Sequence, residues 1–430
     1  MSHLKQCDTI CKKMDIPLVT VPPILTKLYK DLAIAFAQER PEVPSQVLRV
    51  SNPWSTSSAI LDSIPAEIRD DIHASKTSKS IQYTFVLPSG RTIHLKLWSP
   101  ASKKDIRSRI ADIQSWFHFL DPLVSAECSQ ELTIFLYWTH HTKKFPISST
   151  KTTQILLDVV HVNSAFTYHC KKQNEICIFR EEEWFRALIH ESMHAFGMDF
   201  SNMNTTNLTK KLKKEAFQGI LCTDLGMYEA YTETWAEILV ILIRVFQSTH
   251  EKQPISSVQG GAVPCTLQPK NIGGRSPYRF VKTTIQNCIY YEKCWAMSQA
   301  TKVLRFYQLT YQDLLDGAMY QEDRVKVFSY YIIKALLMSH VEAFVFWCYL
   351  KNPPHACFMF DPSPSTQKTT ANAFCTLIVD FAKDPAFLEQ MKQMDVHAYS
   401  DGRHKGVRSN MDGLTPSNIS GDSLRMSLFG

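Results

Sequence analysis

Two histidines four residues apart, His190 and His194, stand on either side of Glu191 in a stretch whose apolar residues recur at helical spacing. On a helix, residues i and i+4 leave the same face, so both imidazoles can share one ion. Glu191 lies roughly 100° around from His190, beside that line rather than on it. From there it can reach a water on the ion without ligating the ion itself. Trp184, Phe185, Leu188, Ile189, Met193 and Phe196 give the same segment an extensive apolar surface, which requires the helix to be buried. Histidines on a buried helix need partners, and a metal supplies two at once. The pattern therefore asks for a helix driven into a core, with polar groups converging on one of its faces.

The flanking sequence is consistent with such a core. SIQYTFVL and TIHLKLWS alternate apolar and polar residues around Pro88-Ser89-Gly90-Arg91, a hairpin signal. Residues 104–120 carry Ile106, Ile110, Ile113, Trp116, Phe117 and Leu120 at three- and four-residue spacing, which predicts a helix. ELTIFLYW (131–138), VVHVNSAFTYH (159–169) and EICIFR (175–180) read as strands. Glu181–Glu183 then open the histidine helix, where its dipole favours acids, and Gly197 is placed to stop it. Residues 201–214 read as a loop, and a second helix spans about 224–246. Pro and Gly crowd residues 253–277, a linker, and mostly helical segments follow to about 394.

The expected architecture is α+β: a zincin-like core, meaning a twisted mixed sheet plus the active-site helix, with a mainly helical C-terminal part. The segments are 1–75, helical and irregular; 76–252, the catalytic core; 253–395, a helical subdomain; and 396–430, a disordered tail. The last residues, SLRMSLFG, carry spaced apolar side chains suited to docking, but the reading preferred for them is a frayed terminus.

The third ligand decides the kind of site. HESMHAFGMDF follows HExxHxxGxxH as far as Gly197, but Phe200 stands where the third histidine would be, and Asp199 falls one residue early. The better source is YEAYTETWAEILVILIRVF, where Glu229, Glu233 and Glu237 fall on one helical stripe. That helix continues as ILVILI, so its carboxylates are costly unless they meet a cation. Glu233-Thr-Trp-Ala-Glu237 matches the ExxAD/E arrangement of glutamate-type zinc peptidases, with the first carboxylate on zinc and the second behind a ligand histidine. Glu233 is the preferred third ligand and Glu229 the alternative.

These two segments resemble the gluzincins. Over a longer span, VNSAFT…EICIFREEEWFRALIHESMHAFGMDFS resembles the zinc metallopeptidases of large nucleocytoplasmic DNA viruses, in which a VN-A-T strand, an FR-EEW helix start and an HE--H-FG-DFS block recur. The resemblance implies a zinc metallopeptidase in which a Zn2+ ion held by His190, His194 and Glu233 activates water and Glu191 is the general base. It also implies a virus-encoded protein of infected cytoplasm or virion, acting on protein or peptide substrates. Tyr228 leads Tyr231 and His250 as the donor to the developing oxyanion, and EICIFR is the candidate edge strand for substrate pairing. The rival reading is a catalytically silent zincin-fold structural or virion interaction protein.

Composition narrows the rest. Lys and Arg exceed Asp and Glu by 47 to 41, a net charge of +6 spread over 430 residues, which gives no strong nucleic-acid signal. The opening residues carry no apolar core of a secretory signal, and neither Ile238–Ile243 nor Tyr330–Leu350 reads as a membrane span. The expectation is a soluble protein of a cytosol-like compartment whose twelve scattered cysteines are reduced. Oligomeric state is left open.

Overall fold

The computed structural model describes residues 14, 16–38, 40, 42–43, 45–49, 62–74, 79–98, 103–146, 155–250, 277–400 and 423–430. The fold is α+β. A six-stranded mixed sheet has the order β1-β2-β3-β4-β6-β5, with β1 at Ser45–Arg49, β2 at Lys79–Val86, β3 at Thr92–Leu97, β4 at Glu131–Thr139, β5 at Ala165–Thr167 and β6 at Gln173–Arg180. The hairpin expected around Pro88 joins β2 and β3 antiparallel, and Gly90 takes φ 87° in its turn, the left-handed region open to glycine. β3, β4 and β6 run parallel, and β5 closes the sheet antiparallel to β6.

Both faces of the central strands are covered. Ile134, Leu136, Ile176 and Ile178 join the main core, while Phe135, Tyr137, Cys177 and Phe179 form a smaller cluster on the other face with Ile64 and Ile68. That is why β4 and β6 read as nearly continuous apolar runs. It also corrects one expectation: EICIFR is an inner strand, and the edge belongs to β5, three residues long. The stretch read as one strand at 159–169 is divided. Asp158 caps a four-residue helix, Val159–Val162, before β5 begins.

The helices of the first half are α1 (Pro23–Ala37), α2 (Ala66–Ala74), α3 (Lys103–Leu120), the short α4 (Val159–Val162), α5 (Trp184–Ala195), α6 (Thr206–Glu215) and α7 (Met227–His250). α6 forms within what the sequence suggested was a loop, and β1 forms within a segment read as helical and irregular. The second half holds α8 (Pro277–Phe306), α9 (Tyr311–Leu315), a π-helical turn (Phe328–Ile333) leading into α10 (Lys334–Ser339), α11 (Val341–Lys351), α12 (Gln367–Ala382) and α13 (Pro385–Ser400). A parallel pair of two-residue strands, Ile220–Leu221 and Tyr320–Gln321, ties the halves together. One apolar cluster runs from Met14 to Phe429 and joins the sheet to the helices of both halves, while Ile64 and Ile68 belong to the smaller cluster on the other face of the sheet. Among the described residues no single helix is long and apolar enough to cross a membrane; the π turn with α10 and α11 passes that test only as a pair bent by 93°.

Two further expectations change. Cys128 and Cys170 are joined in a disulfide, against the reading of all thiols as reduced, while Cys7 and Cys11 lie outside the described residues. The C-terminus is not a free end: Leu424, Met426, Leu428 and Phe429 are buried, with Leu424 fully inaccessible. Residues 401–422, also assigned to the tail, and the 253–276 part of the linker lie outside the described residues.

Candidate metal centre

α5 begins directly after β6 and is buried along its whole length. Its start is unusual: Glu183, at the N-cap, takes φ 58° with its side chain inaccessible. A left-handed, non-glycine residue costs roughly 1–2 kcal/mol, so something must hold it. Lys143 Nζ sits 2.9 Å from its carboxylate and Arg186 Nε 3.6 Å away, and the backbone N–H groups of Met426 and Ser427 donate to it. Burial alone would raise this carboxyl; the charges of Lys143, Arg186 and Arg425 outweigh it and hold it down at about 2.

The other end of α5 is fastened as firmly. Ser129 Oγ donates to Ala195 O at 2.8 Å, Asn174 Nδ2 reaches the same carbonyl at 3.3 Å, and the Cys170 N–H donates to His194 O. Gly197 takes φ 65° against the Cys128–Cys170 bridge, where an added Cβ would come within 3.3 Å of Cys170 Cβ. Carbonyls left over at a helix end are thus satisfied, and the histidines are fixed in register.

α7 packs against α5 in the opposite direction, and charged side chains pair in sequence along the contact. Arg186 meets Glu233, His190 meets Glu233 and Glu229, and His194 meets Glu229. The Nε2 atoms of His190 and His194 face each other at 2.9 Å, and Glu229 Oε2 lies 3.2 and 3.3 Å from them. Carboxylates face the other ring nitrogens: Glu233 Oε1 is 3.0 Å from His190 Nδ1, an ion-pair contact without hydrogen-bond geometry, and Asp199 Oδ2 contacts His194 Nδ1. His169 and Ser201 in turn hold Asp199, at 3.3 and 2.8 Å from its Oδ1.

This corrects the third ligand. Glu229, not Glu233, completes the buried group of His190, His194 and Glu229 whose donor atoms all lie within 4.8 Å of one another. Glu233 stands behind His190, turned to Arg186. Asp199 is likewise behind a histidine rather than in the donor set.

The donor chemistry fits a metal ion. With a carboxylate at each Nδ1, a neutral ring keeps its proton there and presents its Nε2 lone pair. Two such lone pairs and a carboxylate oxygen then converge with no cation among them, an arrangement that a metal ion relieves. In the metal-free chain protons serve instead. Burial lowers the pKa of His190, but Glu233 and Glu229 outweigh it and hold it at about 9; His194 is raised well above its ordinary value, burial being outweighed by Asp199 and Glu229. The same imidazoles overcome burial at Glu229 and keep its carboxyl near 2, at about that value.

Glu191 lies beside the donor set in the wall of a cavity of about 30 Å³, which His190, Glu233, Arg186, Tyr330 and Met426 also line. Burial raises its pKa, with His190 and His194 opposing. Asn163 and Ser164, just before β5, also line the cavity; Asn163 Oδ1 and Ser164 Oγ are buried without a hydrogen-bond partner.

Of the candidate oxyanion donors, Tyr228 packs edge-on to His194 with ring centroids 6.2 Å apart. Tyr231 is elsewhere: its hydroxyl donates to Phe358 O and accepts from Asn352. His250 ends α7 and stacks on Phe246. Tyr330, in a segment whose sequence reads only as not a membrane span, packs edge-on to His190 at 6.4 Å. Its position in a π-helical turn is a feature enriched at functional sites, but π turns leave no clear mark in a sequence. Comparison of the chain with protein-family models, with curated proteins and with solved structures finds no match.

Proposed function

We propose that the chain is a zinc-dependent peptidase of the glutamate-completed type, related to the viral zinc metallopeptidases whose sequence block it resembles. The observation that carries the reading is the convergence of His190 Nε2, His194 Nε2 and Glu229 Oε2 on one point beside the free carboxylate of Glu191. Two nitrogens and one carboxylate oxygen form the protein half of a catalytic zinc shell, which keeps a position for water. Bound there, zinc would lower the pKa of that water and polarise a peptide carbonyl.

The chain's own groups account for the remaining needs. Glu191 accepts the proton of the water at its carboxylate and delivers it to the departing nitrogen, a task that its burial-raised pKa suits. Tyr330 and Tyr228, both kept protonated by burial, supply O–H donors near the histidines. β5 offers the sheet edge along which an extended peptide can pair, with Asn163 and Ser164 providing unsatisfied polar atoms at its approach. Fixing Nδ1 of both rings with Glu233 and Asp199 orients the imidazoles before anything binds.

A comparison of peptide cleavage by the wild type and Glu191→Gln, both carrying zinc, tests the reading. Cleavage products that vanish in the variant support it; identical product profiles with zinc bound in both overturn it. The cavity favours a second reading. At about 30 Å³ it has room for a water but not for a peptide, as expected of a scaffold that holds metal without turnover. Zinc in both proteins and no cleavage by either would support that scaffold.

A further inference from the structure

Residues 423–430 are held by an extensive set of specific contacts. Nearly every backbone polar group from Leu424 to Leu428 has a partner. Leu424 N–H donates to Lys143 O and Leu424 O accepts from the Tyr331 hydroxyl at 2.6 Å. Arg425 O accepts from Trp295 Nε1, and Met426 O accepts from Lys334 Nζ at 2.6 Å. Met426 and Ser427 N–H donate to Glu183, Ser427 O accepts from Arg425 Nε, and Leu428 N–H donates to Glu292 at 3.0 Å. The charged side chains doing this are themselves buried: Glu292 and Lys334 are inaccessible, and Glu183 nearly so. Without the tail, the charges of Glu183 and Lys334 would each lose partners in a dry interior.

These contacts lead to the metal centre. Glu183, which receives two tail N–H groups, faces Arg186; Arg186 grips Glu233; Glu233 stands at His190 Nδ1. Met426 also lies 3.5 Å from Arg186 and forms part of the cavity wall with Glu191. Lys334, tied to Met426 O, pairs with Glu237 one turn beyond Glu233 on α7.

We propose that the C-terminal peptide 423–430 is a positioning element of the metal centre: its N–H groups on Glu183 fix Arg186 and Glu233, and so the orientation of His190. The inference rests on the metal-site reading above. Its consequence is that the tightness of metal binding depends on the chain's last residues, which touch no donor atom.

Full-chain variants and zinc affinity, measured by competition with a chelator, test it. Ser427→Pro removes one N–H from Glu183, and Ser427→Ala keeps it. Leu424→Ala loosens the tail through packing alone. The proposal expects Ser427→Pro to weaken zinc binding about tenfold, the low end for loss of a group that orients a ligand histidine. Ser427→Ala and Leu424→Ala should stay within about twofold of wild type, with circular dichroism confirming that each is folded. Should Ser427→Pro fail to fold, Glu183→Gln, which keeps the side chain's shape, carries the test with the same tenfold expectation. Unchanged affinity in the folded Ser427→Pro, or in Glu183→Gln, overturns the proposal. So does an equal loss in Leu424→Ala, because the effect would then be loosening of the fold. A wild type that takes up no zinc removes the metal-site reading itself, whereas variants that bind zinc as tightly as a zinc-binding wild type remove this inference alone.

Discussion

Glu229 and Glu237 stand two turns apart on the same stripe of α7, Glu237 buried and Glu229 partly so, yet they are neutralised by different means. Glu237 faces Lys334 Nζ at 3.0 Å. Glu233, between them, faces Arg186. Glu229 faces the Nε2 atoms of two histidines. The first two carry permanent partners, and the C-terminal peptide joins their end of the stripe through Met426 O on Lys334. The third has partners that can exchange their proton for a metal. One helix face thus holds a structural charge cluster and a candidate ligand set side by side, and the identity of the opposing group separates them. A buried carboxylate alone does not mark a metal site; a carboxylate opposed by two imidazole nitrogens forms a group that could hold a metal ion.

Variants along this stripe can break the distinction. The largest effect is expected from Glu191→Gln, which belongs to neither set of charge pairs: peptide hydrolysis should fall by roughly 10²–10⁴-fold while zinc content, read by elemental analysis, is kept. Loss of zinc together with activity would place Glu191 in the donor set instead. Glu237→Ala should act on the structural cluster alone, leaving Lys334 buried without its carboxylate and costing about 3–5 kcal/mol in denaturant unfolding, with zinc stoichiometry unchanged in the folded protein.

The same cluster should give a pH signature. Glu183 has a folded pKa of about 2 against an ordinary 4.5, so its contribution is present above the ordinary value and disappears as pH falls from there through about 2. The shift corresponds to stabilisation on the order of 3 kcal/mol. Unfolding free energy measured across that window should therefore drop less steeply in Glu183→Gln than in wild type, and equal slopes would remove Glu183 from the account. The smallest effect is the most discriminating. Glu233→Ala, which removes the group behind His190, should weaken zinc binding about 10–100-fold without abolishing it.

Much of this was legible in the sequence. The helix at Trp184–Ala195, the hairpin around Gly90 and the buried acidic helix follow from periodicity and turn chemistry. Periodicity does not, however, give the axial register of one helix against another. Glu229, Glu233 and Glu237 are equivalent by spacing, and the choice falls to whichever cation lies opposite. One signal was available: Arg186 stands one turn before His190 on the same face. A buried arginine needs its own carboxylate, so in an antiparallel packing it takes Glu233 and leaves Glu229 for the histidines. The disulfide was hidden because 42 residues separate its cysteines and no motif joins them. The tail was hidden for a related reason. Eight residues have no core of their own, and their burial is decided by a groove assembled from Lys143, Glu183, Glu292 and Lys334, which are far apart in the chain. EICIFR was misplaced at the edge because an apolar strand read alone does not reveal how many neighbours it has.

The central claim, that the imidazole-facing end of the stripe is the metal site and the rest is structural, is most directly tested by zinc content across the stripe. Purified wild type, Glu229→Ala, Glu233→Ala and Glu237→Ala, loaded with zinc and freed of excess, are compared by elemental analysis. The account predicts about one zinc per chain in wild type, near none in Glu229→Ala, a weakened but present site in Glu233→Ala and full occupancy in Glu237→Ala. Full occupancy in Glu229→Ala with none in Glu233→Ala would contradict it.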